Sequence, residues 1–358
     1  MTALSDKRLV YVAPRFGASG VGDYADDFIA AVRPHVRDVV EVRFGPPRGD
    51  RWIDIWRHRR EVRRAVADAG ADNTIVHCEM SGGSLAAFWA TKGVRASTLS
   101  ATLHDPPRPI WFPYLTRLIG RSAHVSYGLH RPLDPSSAWL ERRAMRPFVL
   151  FALSTPGVEI LERERMGAAR HLSHLIIPER APITPVIDRP RAVGLFGHVY
   201  RGKGFGALEE FRAALDPAIA IRVAGRGTEE LDPIAGVEIL GEVNGPDEDA
   251  FFASISALLL PYEHRFVYGH PVAPASSVLA RAMAYATPAV CSNVGEFGII
   301  AAEGGCLAVD GGGRELATAA QALLADDDRL RAAAAGVVAY RETQTVDAAI
   351  APYLAAWS

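Results

Sequence analysis

The chain has 358 residues, more than the roughly 250 to 300 at which one hydrophobic core stops growing, so two domains are expected. An apolar content of 49%, a charged content of 22% and a net charge of -2 exclude a disordered or collagen-like chain and argue against a dedicated nucleic-acid binder. Cys78, Cys291 and Cys306 are scattered and odd in number, which suggests neither a disulfide framework nor a zinc site and fits a reducing, cytoplasmic setting.

The start MTALSDKRLVYVAP lacks the basic segment and apolar core of a signal peptide, and no apolar run reaches the ~18 residues that span a bilayer. From there, short β-branched runs alternate with helix-length stretches: RLVYVAP, VGDYADDFIAAVRPH, VVEVRF, a helix over 51 to 69, NTIVHC, LSATLHDP and FVLFALS. Such alternation predicts a parallel sheet covered on both faces. Prolines 178, 182, 185 and 190 then interrupt any central strand or helix, and a linker is expected at 181–190. The alternation restarts with AVGLFG, ALEEFRAAL, AIAIRVAG, VEILGEV, DEDAFFASISA, LLLPY, SVLARAMAYA and PAVCSN. Helical runs at 314 to 325 and 327 to 341 follow, and a last one, VDAAIAPYLAAW, is expected to pack back on the first domain. The predicted organisation is therefore an α/β domain at 1–180, a second at 191–343, and a terminal helix within 344–358 that completes the first.

Glycines and cations mark the candidate sites. Gly17, Gly20 and Gly22 lie between the first strand and the first helix, where backbone can approach an anion and a helix start offers N–H groups. Their GxxGxG spacing differs from the GxGxxG of a dinucleotide fold, and no strand-two acid is well placed for a ribose, which disfavours NAD. The competing explanation is a tight turn. In the second domain GHVYRGKGFG supplies Gly197, His198, Arg201 and Lys203 after a strand, at the edge where open sheets bind ligands. Gly225 and Gly227 end another strand, and Ser276 and Ser277 stand where a helix begins, so a hydroxyl and free amides converge with Lys203. Ordinary N-capping explains Ser276 equally well and is compatible with anion binding.

In their order and spacing, SGVGDYA, TLHDP, FALSTPGVEIL, LFGHVYRGKG, RVAGRG and ARAMAYATPAVCSNVGEF resemble retaining GT-B glycosyltransferases of the family-4 kind over nearly the whole chain. The resemblance implies two Rossmann-like domains facing a central cleft, with the nucleotide sugar held mainly on the second and the acceptor on the first. It implies that Lys203 contacts the donor diphosphate, that Gly20 and Gly22 face it from the other domain, and that His104 lies near the reacting sugar. His198 stands where the family commonly has Arg; an imidazole with an unperturbed pKa near 6.5 is only partly cationic at neutral pH. The family's paired glutamates are missing. Ala273 occupies the first position and Arg281, which can only donate hydrogen bonds, the second. Arg281 is expected to meet a phosphate, an acid such as Glu296, or solvent.

Breaking a sugar-phosphate bond leaves a diphosphate, so fixed cations and oriented N–H groups are the main catalytic resource. Asp247-Glu248-Asp249 is the nearest approach to a metal-chelating pair, but acids in a first helical turn have a simpler reason, and no metal or other cofactor is expected. The stretch 51 to 66 carries six Arg against two acids, with Trp52, Ile55, Trp56, Val62 and Val66 approximating one face. Arg117, Arg121, Arg131, Arg142, Arg143 and Arg146 add further charge. Such a helix either lies on an anionic membrane or packs with a solvated Arg face.

The reading is thus a glycosyltransferase that takes a nucleoside-diphosphate sugar and a glycan, lipid-linked or small-molecule acceptor, with no nucleic acid and with peripheral membrane contact through 51–66. Its alternatives are a nucleotide-sugar epimerase or phosphorylase of the same architecture, a sugar-nucleotide-binding protein without catalysis, and an NAD dehydrogenase.

Overall fold

The computed structural model describes residues 3–17, 19–45, 51–81, 86–107, 122–200, 202–267, 270–273 and 275–358. The chain divides into two compact units. The first comprises Met1–Ile176, Phe266–Ala275 and Val346–Ser358, and the second Ile177–Arg265 and Ser276–Thr345. The proline-rich stretch therefore falls inside the second unit.

The first unit is built on a six-stranded sheet of β1 (Arg8–Pro14), β2 (Asp38–Phe44), β3 (Thr74–Met80), β4 (Thr98–Leu103), β5 (Val149–Ala152) and β6 (Ala169–Leu172), in the order 2-1-3-4-5-6. Every pairing is parallel. β1 shows why the sheet is covered on both faces. Val10 and Val12 enter a core with Val42, Val76 and Leu103, whereas Leu9, Tyr11 and Ala13 enter another with Phe28, Phe151 and Trp357. Successive side chains point to opposite faces, so a strand apolar at every position requires a layer on each side.

On one face, α2 (Trp52–Ala69) supplies Val62, Ala65 and Val66. On the other, α1 (Gly20–Val32) packs with α12 (Val346–Trp357), whose Ile350, Tyr353 and Trp357 are buried. The Lys7 ammonium donates to the Trp357 carbonyl at 2.7 Å, so a cation satisfies an orphan carbonyl at the negative end of the terminal helix. Lys7 is itself nearly buried, which makes this contact stronger than a surface one.

The second unit repeats the principle with a different order. Its sheet contains β7 (Ala192–Phe196), β8 (Ala220–Ala224), β9 (Val237–Gly241), β10 (Ala257–Leu260), β13 (Ala289–Ser292) and β14 (Leu307–Val309), arranged 14-13-10-7-8-9. β11 (Arg265–Val267) and β12 (His270–Val272) form a separate two-stranded ribbon. Val193, Leu195, Ile221 and Val223 pack against Leu208 and Phe211 of α6 (Leu208–Ala214) and against Leu316, Ala320 and Leu323 of α10 (Gly313–Leu324).

Numbered from its own first strand, this sheet runs 6-5-4-1-2-3, the doubly wound order in which the connections reverse direction between strands one and four. Open sheets of this order bind ligands at the carboxyl end, beside the reversal point. In the first sheet the reversal lies between β1 and β3. Each unit thus has its own reversal point.

Candidate active site

The loop after β7 is pinned to the end of β8: the Gly197 amide donates to the Ala224 carbonyl at 3.0 Å and the Val199 amide to the Arg226 carbonyl at 3.0 Å. Gly225, at φ +130°, makes this closeness feasible, because a Cβ on it would lie 2.0 Å from the Gly197 carbonyl oxygen. Further on, Gly204 at φ +74° seats the loop against the chain leaving β10; its added Cβ would be 2.1 Å from the Pro261 oxygen. Gly225, at the end of β8, thus lets the loops after β7 and β8 pack backbone against backbone.

Between these points the Lys203 ammonium donates to the Tyr262 hydroxyl, lies 3.8 Å from the centroid of that ring and is 5.4 Å from the centroid of Tyr200. Tyr262 in turn is 3.1 Å from the Ser276 hydroxyl. Ser276 is the N-cap of α8 (Ser277–Ala284), and its oxygen accepts from the Leu279 amide at 3.2 Å. The Tyr262 hydroxyl, which accepts from the ammonium, links Lys203 to the capped start of α8. The structure thus brings Lys203 and Ser276 together through a residue that the sequence reading left without a role. The available signal was position: Tyr262 stands two residues beyond β10, at the reversal point.

Other predicted residues fall differently. His198 lies in the same turn as Gly197, Ser277 is the exposed first residue of α8, and Arg201 lies outside the described residues. Arg281 meets an acid, but that acid is Glu248, at 3.3 Å, where the sequence had suggested Glu296. Glu248 belongs to α7 (Pro246–Ala253) and also accepts from Arg180 at 3.4 Å and from the Tyr285 hydroxyl at 3.0 Å. Burial pushes its carboxyl above the ordinary range, although these hydrogen bonds work in the opposite direction. Asp249 accepts from the same Tyr285 hydroxyl at 2.6 Å. The acids of this first helical turn therefore serve a polar knot. Among the described residues no group of three or more His, Cys, Asp or Glu is placed to hold a metal ion.

In the first unit, Ser19 caps α1 by accepting from the Gly22 amide at 3.4 Å; Gly20 opens that helix and the Gly17 amide donates to Asp23 at 3.0 Å. His104 follows β4, where its amide donates to the Met80 carbonyl at 2.9 Å. Its Nε2 donates to Oε2 of Glu79 at 2.7 Å, and Tyr24 meets the ring edge-on at 5.2 Å. Glu79 is wholly buried on β3, and its other oxygen accepts from Tyr11 at 2.7 Å and from His77 Nε2 at 3.1 Å. Burial alone would raise this carboxyl, yet hydrogen bonds from His104 and His77 outweigh it and hold the group down at about 2.

Behind it, Trp357 Nε1 donates to the Ser100 hydroxyl at 2.9 Å, which is 2.8 Å from His77 Nδ1. An ionised Glu79 can only accept, so His77 presents its Nε2 proton to it, while Nδ1 faces the Ser100 hydroxyl. Glu79 escaped sequence reading because it sits in TIVHCEM, a strand in which every residue is buried. The Ala273 carbonyl accepts from the Ser154 hydroxyl at 2.9 Å.

Residues 191–326 match the family model of glycosyl transferases group 1, which places such a domain in the second unit. Among curated proteins none matches the chain. Three solved structures are similar throughout. HepE from Anabaena, solved in complex with UDP-glucose, is 13% identical, covers 97% of this chain and 98% of its own, and superposes with a TM-score of 0.66. For the sucrose-phosphate synthase of Thermosynechococcus elongatus the values are 14%, 98%, 97% and 0.70. For AviGT4, a glycosyltransferase involved in avilamycin A biosynthesis, they are 16%, 98%, 97% and 0.62. The fold is that of GT-B glycosyltransferases, and within it residues 191–326 carry a glycosyl transferases group 1 domain.

Proposed function

We propose that this enzyme transfers a sugar from a nucleoside-diphosphate sugar to a glycan, lipid-linked or small-molecule acceptor, with retention of anomeric configuration and without a metal or other cofactor. The observation that carries the reading is the linked group Lys203, Tyr262 and Ser276 at the reversal point of the second sheet, inside the segment that matches the glycosyltransferase model. An ammonium beside a capped helix start supplies positive charge and oriented N–H groups, which is what a departing diphosphate requires. That HepE was solved with UDP-glucose supports a nucleotide sugar as donor. Lys203 is assigned to the diphosphate, with Gly225, Ser276 and Ser277 around it, and His104 to the reacting sugar. Gly20, Gly22, His198 and Arg201 are assigned to substrate binding by the family resemblance. Arg281, tied to Glu248, does not replace the ribose-binding carboxylate in kind.

A thermal-shift panel of UDP, GDP, ADP, CDP and TDP, followed by donor turnover with the nucleotide that stabilises most, tests this. Stabilisation by one nucleotide and release of its diphosphate only when acceptor is present are expected. An epimerised donor formed in the absence of acceptor would overturn transfer in favour of epimerisation. Binding without turnover across a broad acceptor panel would make the protein a sugar-nucleotide binder, and a shift with nicotinamide dinucleotide alone would overturn the donor class.

A further inference from the structure

Helix α2 divides into two faces that the sequence pattern had merged. Ile55, Val62 and Val66 are buried, together with His58 and Ala65, and these serve the core. Trp52 and Trp56, expected on the same face, instead point outward with 46% and 59% of their surface exposed, and Ile53 joins them at 69%. At 3.6 residues per turn the buried residues fill one sector of the helix, and Trp52, Ile53, Trp56, Arg60, Arg63 and Arg64 fill the opposite one. Ile53, Trp56, Arg57, Arg60, Glu61 and Arg64 border one surface groove.

Charge on this helix is also sorted. Arg59 turns inward and donates to the carbonyls of Trp89 and Lys92, both at 2.7 Å, closing the end of α3 (Ala86–Thr91). Arg51, Arg57, Arg60, Arg63 and Arg64 remain exposed, and Asp54, Glu61 and Asp68 are the acids of the same helix. Asp54 is taken up by Arg51 and Arg57 at 3.1 and 3.2 Å. The outward sector therefore begins with two indoles and an isoleucine in its first turns and continues as a cationic strip.

We infer that this sector of α2 docks on an anionic phospholipid surface, with Trp52, Ile53 and Trp56 entering the headgroup boundary and Arg60, Arg63 and Arg64 meeting lipid phosphates. Indole rings favour that boundary because one edge is apolar and the other donates a hydrogen bond. Arginine stems lie along apolar surface while the guanidinium reaches the polar layer. A purely solvated Arg face accounts for the cations and leaves three large apolar side chains in water. With a net charge of -2 on the whole chain, attraction to anions must come from a local strip such as this one.

The test is sedimentation of the full chain with vesicles of phosphatidylcholine and phosphatidylglycerol in equal parts, and with phosphatidylcholine alone, independently of any turnover. Binding to the mixed vesicles only is expected. The triple variant Trp52→Ser/Ile53→Ser/Trp56→Ser and the triple variant Arg60→Glu/Arg63→Glu/Arg64→Glu should each weaken it about tenfold or more, at unchanged melting temperature because all six residues are exposed. Absent binding, equal binding to both vesicles, or binding that survives loss of the aromatics would overturn the inference. So would a concentration-dependent dimer abolished by the Trp and Ile changes, since a second copy would then be the occupant.

Discussion

The two sheets place ionised groups at corresponding edges and treat them in opposite ways. In the first unit the ends of β3 and β4 hold the Glu79 carboxylate with no exposed surface, saturated by Tyr11, His77 and His104. In the second, the ends of β7 and β10 carry the half-buried Lys203 ammonium, resting on the faces of Tyr200 and Tyr262 and linked by hydroxyls to a helix start. A saturated buried charge fixes the geometry of its neighbours; a half-buried ammonium among hydroxyls and aromatic faces brings positive charge to a strand end. The first arrangement orients one histidine, and the second is suited to ligand charge.

This contrast is easiest to break at Glu79. Replacing it by Ala leaves two imidazoles and a phenol without their acceptor, and a loss of about 3 to 5 kcal/mol in urea unfolding is expected. A loss no greater than that of a surface substitution would show the network to be dispensable. Its pH signature follows from the sign of the shift. The folded carboxyl is held near 2, below the ordinary value of about 4.3, so its contribution to stability is complete above the ordinary value and disappears as pH falls toward the folded one. Glu79→Gln should therefore flatten the acid limb of the stability profile between about pH 4 and about pH 2, and parallel limbs would contradict the assignment.

Smaller effects sharpen the second edge. Tyr262→Phe keeps the ring under the ammonium but removes the hydroxyl joining Lys203 to Ser276, and donor affinity should fall about threefold to tenfold, on the order of one hydrogen bond, with stability nearly unchanged. Equal affinities for donor would remove Tyr262 from the site. Least affected should be Arg281→Ala. Its ion pair with Glu248 is long and part-exposed, so a cost under about 1 kcal/mol is expected, and a larger one would show that the knot around Tyr285 depends on it.

The central strands were legible because burial on both faces produces uninterrupted apolar runs such as LVYVAP and LLLP. β6 and β14 were not: they are edge strands of four and three residues, only partly buried, with no such run. α4 (Ala123–Met145) was hidden by Pro132 and Pro135 within it. At the sites, Lys203 and Ser276 stood out as chemistry at strand ends. Tyr262 and Glu79 did not, because aromatic and acidic residues near strands are usually packing or surface, and their role here comes from partners distant in sequence. The faces of α2 were misassigned for a related reason, since a helix rich in Arg and Trp satisfies more than one choice of buried sector.

The claim on which the account rests is that Lys203 holds the diphosphate of the donor. Calorimetric titration of wild type and Lys203→Ala with the nucleoside diphosphate that stabilises the protein most is its most direct test. A loss of affinity of about tenfold or more in a variant that melts with the wild type is expected, the cost of one charge-assisted contact. Equal affinities in the two proteins would contradict it.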